Sequence, residues 1–265
     1  MSHAGIIGMR SSGDDILTVS SGLTEDEWQT PSAAAGWTVH DVVIHAGALL
    51  ELLQAAVGGE AAPDLGIEAI NDAVVAQRRD WDPARTVDNL NKQLAQALPV
   101  FSALQEEPMA SMQTPMVDLG TYPLHAIADM FTFDMSTHLR YDILAPRGPI
   151  AREMPPLDDV RLTPSVSWLL GGIPKMQPTL AGHLSAPLAL RLTGPAAREV
   201  LISPDADAIT VRPLDSAADN AAAMLTSTSE DFLAWSTTRL PWRRLVSIEG
   251  DRKVAAEFLG ALNLI

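Results

Sequence analysis

The sequence predicts an α+β protein, with an N-terminal antiparallel four-helix bundle followed by a small α+β domain that has a mostly antiparallel sheet. Apolar residues recur at helical spacing through most of the first half, whereas short runs of alternating apolar and polar residues characterise the second half. A proline-rich stretch at residues 145–160 separates them. The 265 residues suffice for two domains, which we place at residues 1–150 and 151–265.

Four helices are expected in the first half, enough for an antiparallel bundle. Thr38 is a suitable N-cap for the second of them, and Gly58-Gly59 ends it. Asp82-Pro83 interrupts the third. The four predicted helices lie before residue 23, at about 38–57, at about 67–104 and from after Pro123 to about Leu144.

The second half contains several short apolar runs of the kind found in strands, with turn-forming residues between them. The segments predicted as strands are residues 188–193, 200–202, 208–211 and 244–249. The segments predicted as helices are residues 217–225, 230–237 and 253–262. This order favours a small sheet covered by helices.

Composition excludes several classes of function. The net charge of −15 disfavours binding to nucleic acids and to anionic membranes. No cysteine is present, so disulfides, thiolate metal ligands and a cysteine nucleophile are ruled out, and thiol chemistry would need an external thiol. The sequence shows neither a signal-peptide pattern nor an apolar run of about 18 residues, so we expect a cytoplasmic protein.

Three polar residues lie on apolar stripes of the predicted bundle helices. His45 shares the helical spacing of Val42 and Leu49, and Asp134 and His138 lie one turn apart on the last helix. A carboxylate on a buried stripe is costly unless it is paired or bound to a metal. Two imidazoles and one carboxylate suit zinc, and also iron, nickel or manganese, with a fourth position left for water or substrate. The alternative is a plain Asp–His hydrogen bond.

Two segments carry a resemblance to a known family. The segment LTEDEWQTP at residues 23–31, the motif Gly-Trp-Thr-Val at residues 36–39, and His45 eight residues after Trp37 resemble the opening of the mycothiol-dependent maleylpyruvate isomerase family. The segment FDMSTHLRYDI at residues 133–143 resembles its second metal motif. Several members have Glu where this chain has Asp134, and an Asp usually follows the family histidine by three residues, whereas Asp142 follows by four.

The resemblance extends into the second half, where residues 235–242, 246–251 and 258–262 are similar to the C-terminal domain of the family, which is related to sterol-carrier-protein folds. It implies a DinB-like metal-binding bundle with ligands His45, Asp134 and His138, and a catalytic arginine for which Arg239 is the closest match. Its cofactors would be a divalent metal, with zinc the first choice, and mycothiol as thiol cosubstrate. We expect Trp37 to pack at the start of its helix and His40 to be solvated.

The resemblance implies an isomerase or thiol S-transferase that acts on a small electrophile such as maleylpyruvate. Its partners would be that substrate and a low-molecular-weight thiol, without nucleic acid or membrane, and the protein would be a monomer or homodimer. Two alternatives stay open: a hydrophobic-ligand carrier of the sterol-carrier type, and a non-catalytic metal-binding protein. Bulky residues in the predicted strands favour a filled core over the tunnel that a carrier needs.

Overall fold

The computed structural model describes residues 3–61, 63–215 and 220–264. The chain divides into two compact units, Met1–Pro156 and Leu157–Ile265. The proline-rich stretch predicted as a linker contains this boundary. The fold is α+β, as predicted, with helices in both units and the larger sheet in the second.

Helices dominate the N-terminal unit. They are α1 Ala4–Ser21, α2 Glu25–Gln29, α3 Val39–Val57, α4 Ile67–Ala76, α5 Pro83–Ala103 and α6 Ala126–Thr137, with a π-helical turn at His138–Ile143 directly after α6. A two-stranded antiparallel sheet, β1 Gln113–Pro115 and β2 Thr121–Pro123, precedes α6. Each predicted helix is present, and the third is divided into α4 and α5, with α5 beginning at the predicted interruption at Asp82-Pro83. The five-residue α2 was not predicted.

Local sequence explains where the key helices begin. Thr38 caps α3 in a reciprocal arrangement, since its hydroxyl accepts from the Asp41 amide at 3.1 Å and the Asp41 carboxylate accepts from the Thr38 amide at 3.0 Å. Asp82 caps α5, and Pro83 occupies the first turn, where a missing N–H costs nothing. These caps fix the first residue of each helix, and therefore the direction in which its side chains point.

The core of the N-terminal unit lies between α1, α3, α5 and α6. Helix α1 packs against α5 and α6, while α3 packs against α5. Phe101 and Phe131 stack there with ring centroids 5.4 Å apart, and both are fully buried. Among the described residues, α3 is long and apolar enough to cross a membrane, but 67% of its most apolar window is buried inside the protein, as in the core helix of a globular unit.

In its described residues, the C-terminal unit combines a five-stranded sheet with three α-helices, in the order α7 Asp159–Gly172, β3 Leu188–Thr193, β4 Arg198–Asp205, β5 Ala208–Pro213, β6 Ala223–Thr228, α8 Ser229–Ser236, β7 Ser247–Gly250 and α9 Arg252–Ala261. The strand order is β5-β4-β3-β6-β7. The pairing of β3 with β6 is parallel and the other three pairings are antiparallel, so the prediction of a mostly antiparallel sheet is confirmed.

One secondary-structure prediction in this unit is wrong. We predicted a helix at residues 217–225, but residues 223–228 form β6, next to the central strand β3; residues 216–219 lie outside the described part. Ala223, Leu225 and Ser227 are buried, and the residues between them are half-buried, which is the alternation of a strand. Pairing with β3 outweighs the helix propensity of Ala, Met and Leu. Helix α7 was not predicted.

Large side chains fill the core of the C-terminal unit. Leu190 and Leu225 from neighbouring strands are fully buried, as are Phe232 on α8 and Phe258 on α9. A cleft of about 420 Å³ lies over β3 and β6, with Ala189, Ala222 and Ala223 in its wall.

Candidate metal centre

The structure brings His45, Asp134 and His138 together. One potential ligand atom from each lies within 4.8 Å of the others. Helix α3 carries His45, α6 carries Asp134, and His138 begins the π-helical turn. The His45 side chain is 1% exposed, whereas those of Asp134 and His138 are 16% and 15% exposed. The cluster therefore lies at the edge of the core, with solvent reaching it from the side of Asp134 and His138.

Both histidines direct the same ring nitrogen at one carboxylate oxygen. Nε2 of His45 lies 3.3 Å from Oδ1 of Asp134, and Nε2 of His138 lies 3.6 Å from the same atom. The two imidazole rings meet edge to face with centroids 5.1 Å apart. Two imidazole nitrogens and a carboxylate oxygen that converge in this way are a donor set that fits a divalent metal ion with a free coordination position.

A buried carboxylate supports His138 from behind. Nδ1 of His138 lies 2.8 Å from Oδ2 of Asp142, which is 1% exposed, and the guanidinium of Arg147 forms an ion pair with the other carboxylate oxygen. Since a carboxylate accepts, Nδ1 carries a proton, and the lone pair of the neutral ring is then on Nε2, which faces Asp134. Asp142 thus reaches the His138 ring from the π-helical turn, although it follows His138 by four residues and the family aspartate usually follows by three.

Trp37 lies against the histidine pair. Its ring centroid is 5.0 Å from that of His45 and 6.2 Å from that of His138, with ring planes inclined at 49° and 25°. Its indole N–H donates to Oδ1 of Asp72 on α4 at 2.9 Å. Trp37 directly precedes Thr38, the N-cap of α3, where we expected it to pack, and its ring also borders the candidate site. Side chains in a helix lean toward its N-terminus, so His45 leans toward Trp37, and this geometry could have indicated the contact from the sequence.

His40 does not belong to the cluster, and the prediction that it is solvated is wrong. It is 4% exposed, its Nε2 lies 2.8 Å from the hydroxyl of Thr86, and its ring meets that of Trp28 edge to face at 5.5 Å. Burial lowers the pKa of His40 below its ordinary value, which favours the neutral ring. His40 is therefore a hydrogen-bonded core histidine.

Arg239, the residue predicted to be catalytic, belongs to the C-terminal unit. It is half-buried and follows α8, in the segment that leads to Pro241. The preceding helix is capped by Thr228, whose hydroxyl accepts from the Asp231 amide at 3.0 Å. Its catalytic role stays a prediction.

Comparisons with known proteins agree with these features. The sequence model described as the mycothiol maleylpyruvate isomerase N-terminal domain matches residues 9–139, a segment that contains all three residues of the cluster. Crystal structures of the mycothiol-dependent maleylpyruvate isomerase and of a histidine-to-alanine mutant resemble this chain with TM-scores of 0.57 at 17% and 16% identity. Each structural match covers 93% of this chain and 92% of the isomerase chain, which shows a shared fold. No curated protein sequence matches.

Proposed function

Because this chain belongs to the mycothiol-dependent maleylpyruvate isomerase family, we propose that it is a metal- and thiol-dependent enzyme. It would isomerise, or transfer a thiol to, a small electrophile such as maleylpyruvate, with mycothiol as the cosubstrate. The observation that carries the proposal is the convergence of His45, Asp134 and His138 within 4.8 Å. Since the chain has no cysteine, the thiol has to come from outside.

We assign His45, Asp134 and His138 as the ligands of a divalent metal, with zinc as the first choice because two imidazoles and a carboxylate suit it. A metal held there would supply Lewis acidity and favour the deprotonated form of a coordinated thiol at neutral pH. The carboxylate of Asp134 offsets part of the cationic charge. Asp142 keeps the proton of His138 on Nδ1, so that Nε2 is available as a ligand atom.

The burial of the three side chains indicates how small molecules would approach. His45 is almost fully buried, whereas Asp134 and His138 retain some exposure. The thiol and the electrophile would therefore arrive on the side of Asp134 and His138, while the wall formed by α3 excludes water from behind. Arg239 would hold a carboxylate of the substrate, or the enolate that develops when the thiol adds to the double bond.

The family also supports finer assignments. We propose that the helices of the N-terminal unit form a DinB-like four-helix bundle, and that the C-terminal unit is of the sterol-carrier-protein type. Helix packing of α1 on α5 and α6, and of α3 on α5, supports the first, and the five-stranded sheet supports the second. We also propose that the protein is cytoplasmic and is a monomer or a homodimer.

The first experiment is elemental analysis of protein purified without chelator and without metal-affinity resin. We expect about one metal per chain in the wild type, and loss of the metal in His45→Ala and in His138→Ala. His183→Ala removes an exposed histidine from the C-terminal unit and serves as the matched control, because it should retain the metal.

The second experiment is an activity assay on the metal-loaded protein with mycothiol and maleylpyruvate. The change in absorbance of maleylpyruvate measures the reaction. We expect turnover in the wild type, and an Arg239→Met variant that retains metal but loses turnover. A wild type without metal, even after addition of zinc, would contradict the metal assignment. Full metal occupancy without turnover of maleylpyruvate or related electrophiles would instead support the non-catalytic metal-binding alternative.

A further inference from the structure

The two histidines of the centre are supported in different ways. A histidine that binds a metal usually donates its second ring N–H to a carboxylate or carbonyl, which fixes the orientation of the ring. His138 has such a partner in Asp142. His45 differs, because its side chain is 1% exposed and no group in the described part of the chain accepts or donates a hydrogen bond at its Nδ1. The orientation of the His45 ring must therefore come from packing.

The aromatic neighbours of the His45 ring are His138 and Trp37, with centroids 5.1 and 5.0 Å away. His138 is itself a candidate ligand, so Trp37 is the neighbour that stands outside the ligand set. The indole also borders His138, with ring planes inclined at 25°. One side chain thus contacts both imidazoles.

Trp37 is itself held at both its side chain and its main chain. The indole N–H donates to Asp72 on α4 at 2.9 Å. The Trp37 carbonyl accepts from the Ser32 amide at 2.9 Å, and the neighbouring Ala33 amide donates to the carbonyl of Asp142, also at 2.9 Å. The segment that carries the indole is therefore tied to the same turn that supports His138.

We propose that Trp37 is a positioning residue of the metal centre and that Asp72 locks its indole. In this arrangement the indole fixes the buried His45 ring in place of the hydrogen bond that Nδ1 lacks. The inference rests on the metal centre of the proposed function, and it adds two residues outside the ligand set. Residues of this kind typically change metal affinity by about 10–100-fold when they are removed.

The test measures Zn²⁺ affinity by competition with a chromophoric chelator. Trp37→Ala should weaken binding by about tenfold or more, and Trp37→Phe by less, because phenyl retains part of the contact. Asp72→Ala should weaken binding in the same direction, whereas Asp72→Asn, which keeps an acceptor oxygen, should bind like the wild type. Trp81→Ala is the matched control: Trp81 is also half-buried in this unit, and its ring contacts Arg78 and Arg85.

A second readout separates positioning from general loosening. The visible spectrum of the Co²⁺-loaded protein reports ligand geometry, and it should change in Trp37→Ala and stay unchanged in Trp81→Ala. If Trp37→Ala does not fold, Asp72→Ala decides the question, because Asp72 is exposed on α4 and its truncation removes little besides the hydrogen bond.

The outcomes distinguish the inference from its premise. A wild type that binds no Zn²⁺ would overturn the proposed function, and this inference with it. A wild type that binds Zn²⁺, together with Trp37→Ala and Asp72→Ala proteins whose affinities stay within about twofold of it, would overturn the positioning role alone. Equal losses in Trp37→Ala and Trp81→Ala would overturn it as well.

Discussion

Asp142 accepts a hydrogen bond from Nδ1 of His138 at 2.8 Å, and thereby turns the other ring nitrogen toward Asp134. The carboxylate is 1% exposed, and the guanidinium of Arg147 compensates its charge. His138 consequently has one tautomer imposed on it by a residue of its own helical turn. The candidate metal centre is thus partly arranged without an ion.

Replacement of Asp142 by asparagine should weaken metal binding by about 10–100-fold. The amide can donate from its nitrogen to Nδ1, which would favour the tautomer that carries its proton on Nε2, the nitrogen needed as a ligand. The measurement is a zinc titration against a competing chelator, accompanied by nitrogen NMR of the histidine rings in the metal-free protein.

Asp41→Asn is the matched control for this substitution. Asp41 is also a buried carboxylate paired with an arginine, Arg79, and it contacts none of the three candidate ligand residues in the hydrogen bonds and ion pairs described. Asparagine keeps an acceptor oxygen for the Thr38 amide, so this variant retains the cap of α3 and loses the ion pair. Both variants lose an ion pair, so both should lose stability. Equal zinc affinities in the two variants would show that Asp142 has no special relation to the centre.

Metal should raise the stability of the N-terminal unit. An ion that binds the folded state alone adds about 2.7 kcal/mol at a free concentration 100 times its Kd. For a protein of this size each kcal/mol corresponds to a rise of about 2–4 °C in Tm. Calorimetry with zinc and with chelator should therefore show a concentration-dependent shift in the wild type and none in His45→Ala. A zinc-dependent shift of equal size in that variant would place the ion elsewhere.

Local patterns predicted the helices that build the site. The capping residue Thr38 and the apolar spacing after it fixed α3, and the spacing of Asp134 and His138 predicted that both face the interior. Strand β6 was mistaken for a helix because its composition favours a helix, whereas its neighbours in the sheet decide its conformation. Information of that kind is absent from the local sequence.

The contacts around the three candidate ligand residues were harder to predict. No recognisable spacing in the sequence relates Asp72 to Trp37 or to the two histidines. The hydrogen bond between Asp72 and Trp37 depends on where α4 packs. His40 was expected in solvent because it lies off the stripe of His45. In the structure every residue from Val39 to Leu50 is buried, so α3 has no solvated face along this stretch, and reasoning from helical faces fails there.

The buried His40 should make stability depend on pH. Burial lowers its pKa in the folded protein below the ordinary value of 6.5, and the carboxylates of Asp41 and Asp82 oppose this effect in part. Below the unfolded-state pKa the unfolded chain therefore binds more protons at this residue than the folded chain does. The stabilising contribution is complete above that pKa and is lost as the pH falls toward the folded-state pKa, with a slope of at most about 1.4 kcal/mol per pH unit.

The free energy of unfolding in urea, measured on metal-free protein between about pH 5 and pH 8, tests this dependence. His40→Gln should have a shallower dependence than the wild type, since glutamine does not titrate and its amide can still bond to Thr86. His3→Gln provides the control, because the His3 side chain is 56% exposed, and it should follow the wild-type curve. Parallel curves for the wild type and His40→Gln would mean that His40 binds protons equally in both states, which its burial against Trp28 and Thr86 argues against.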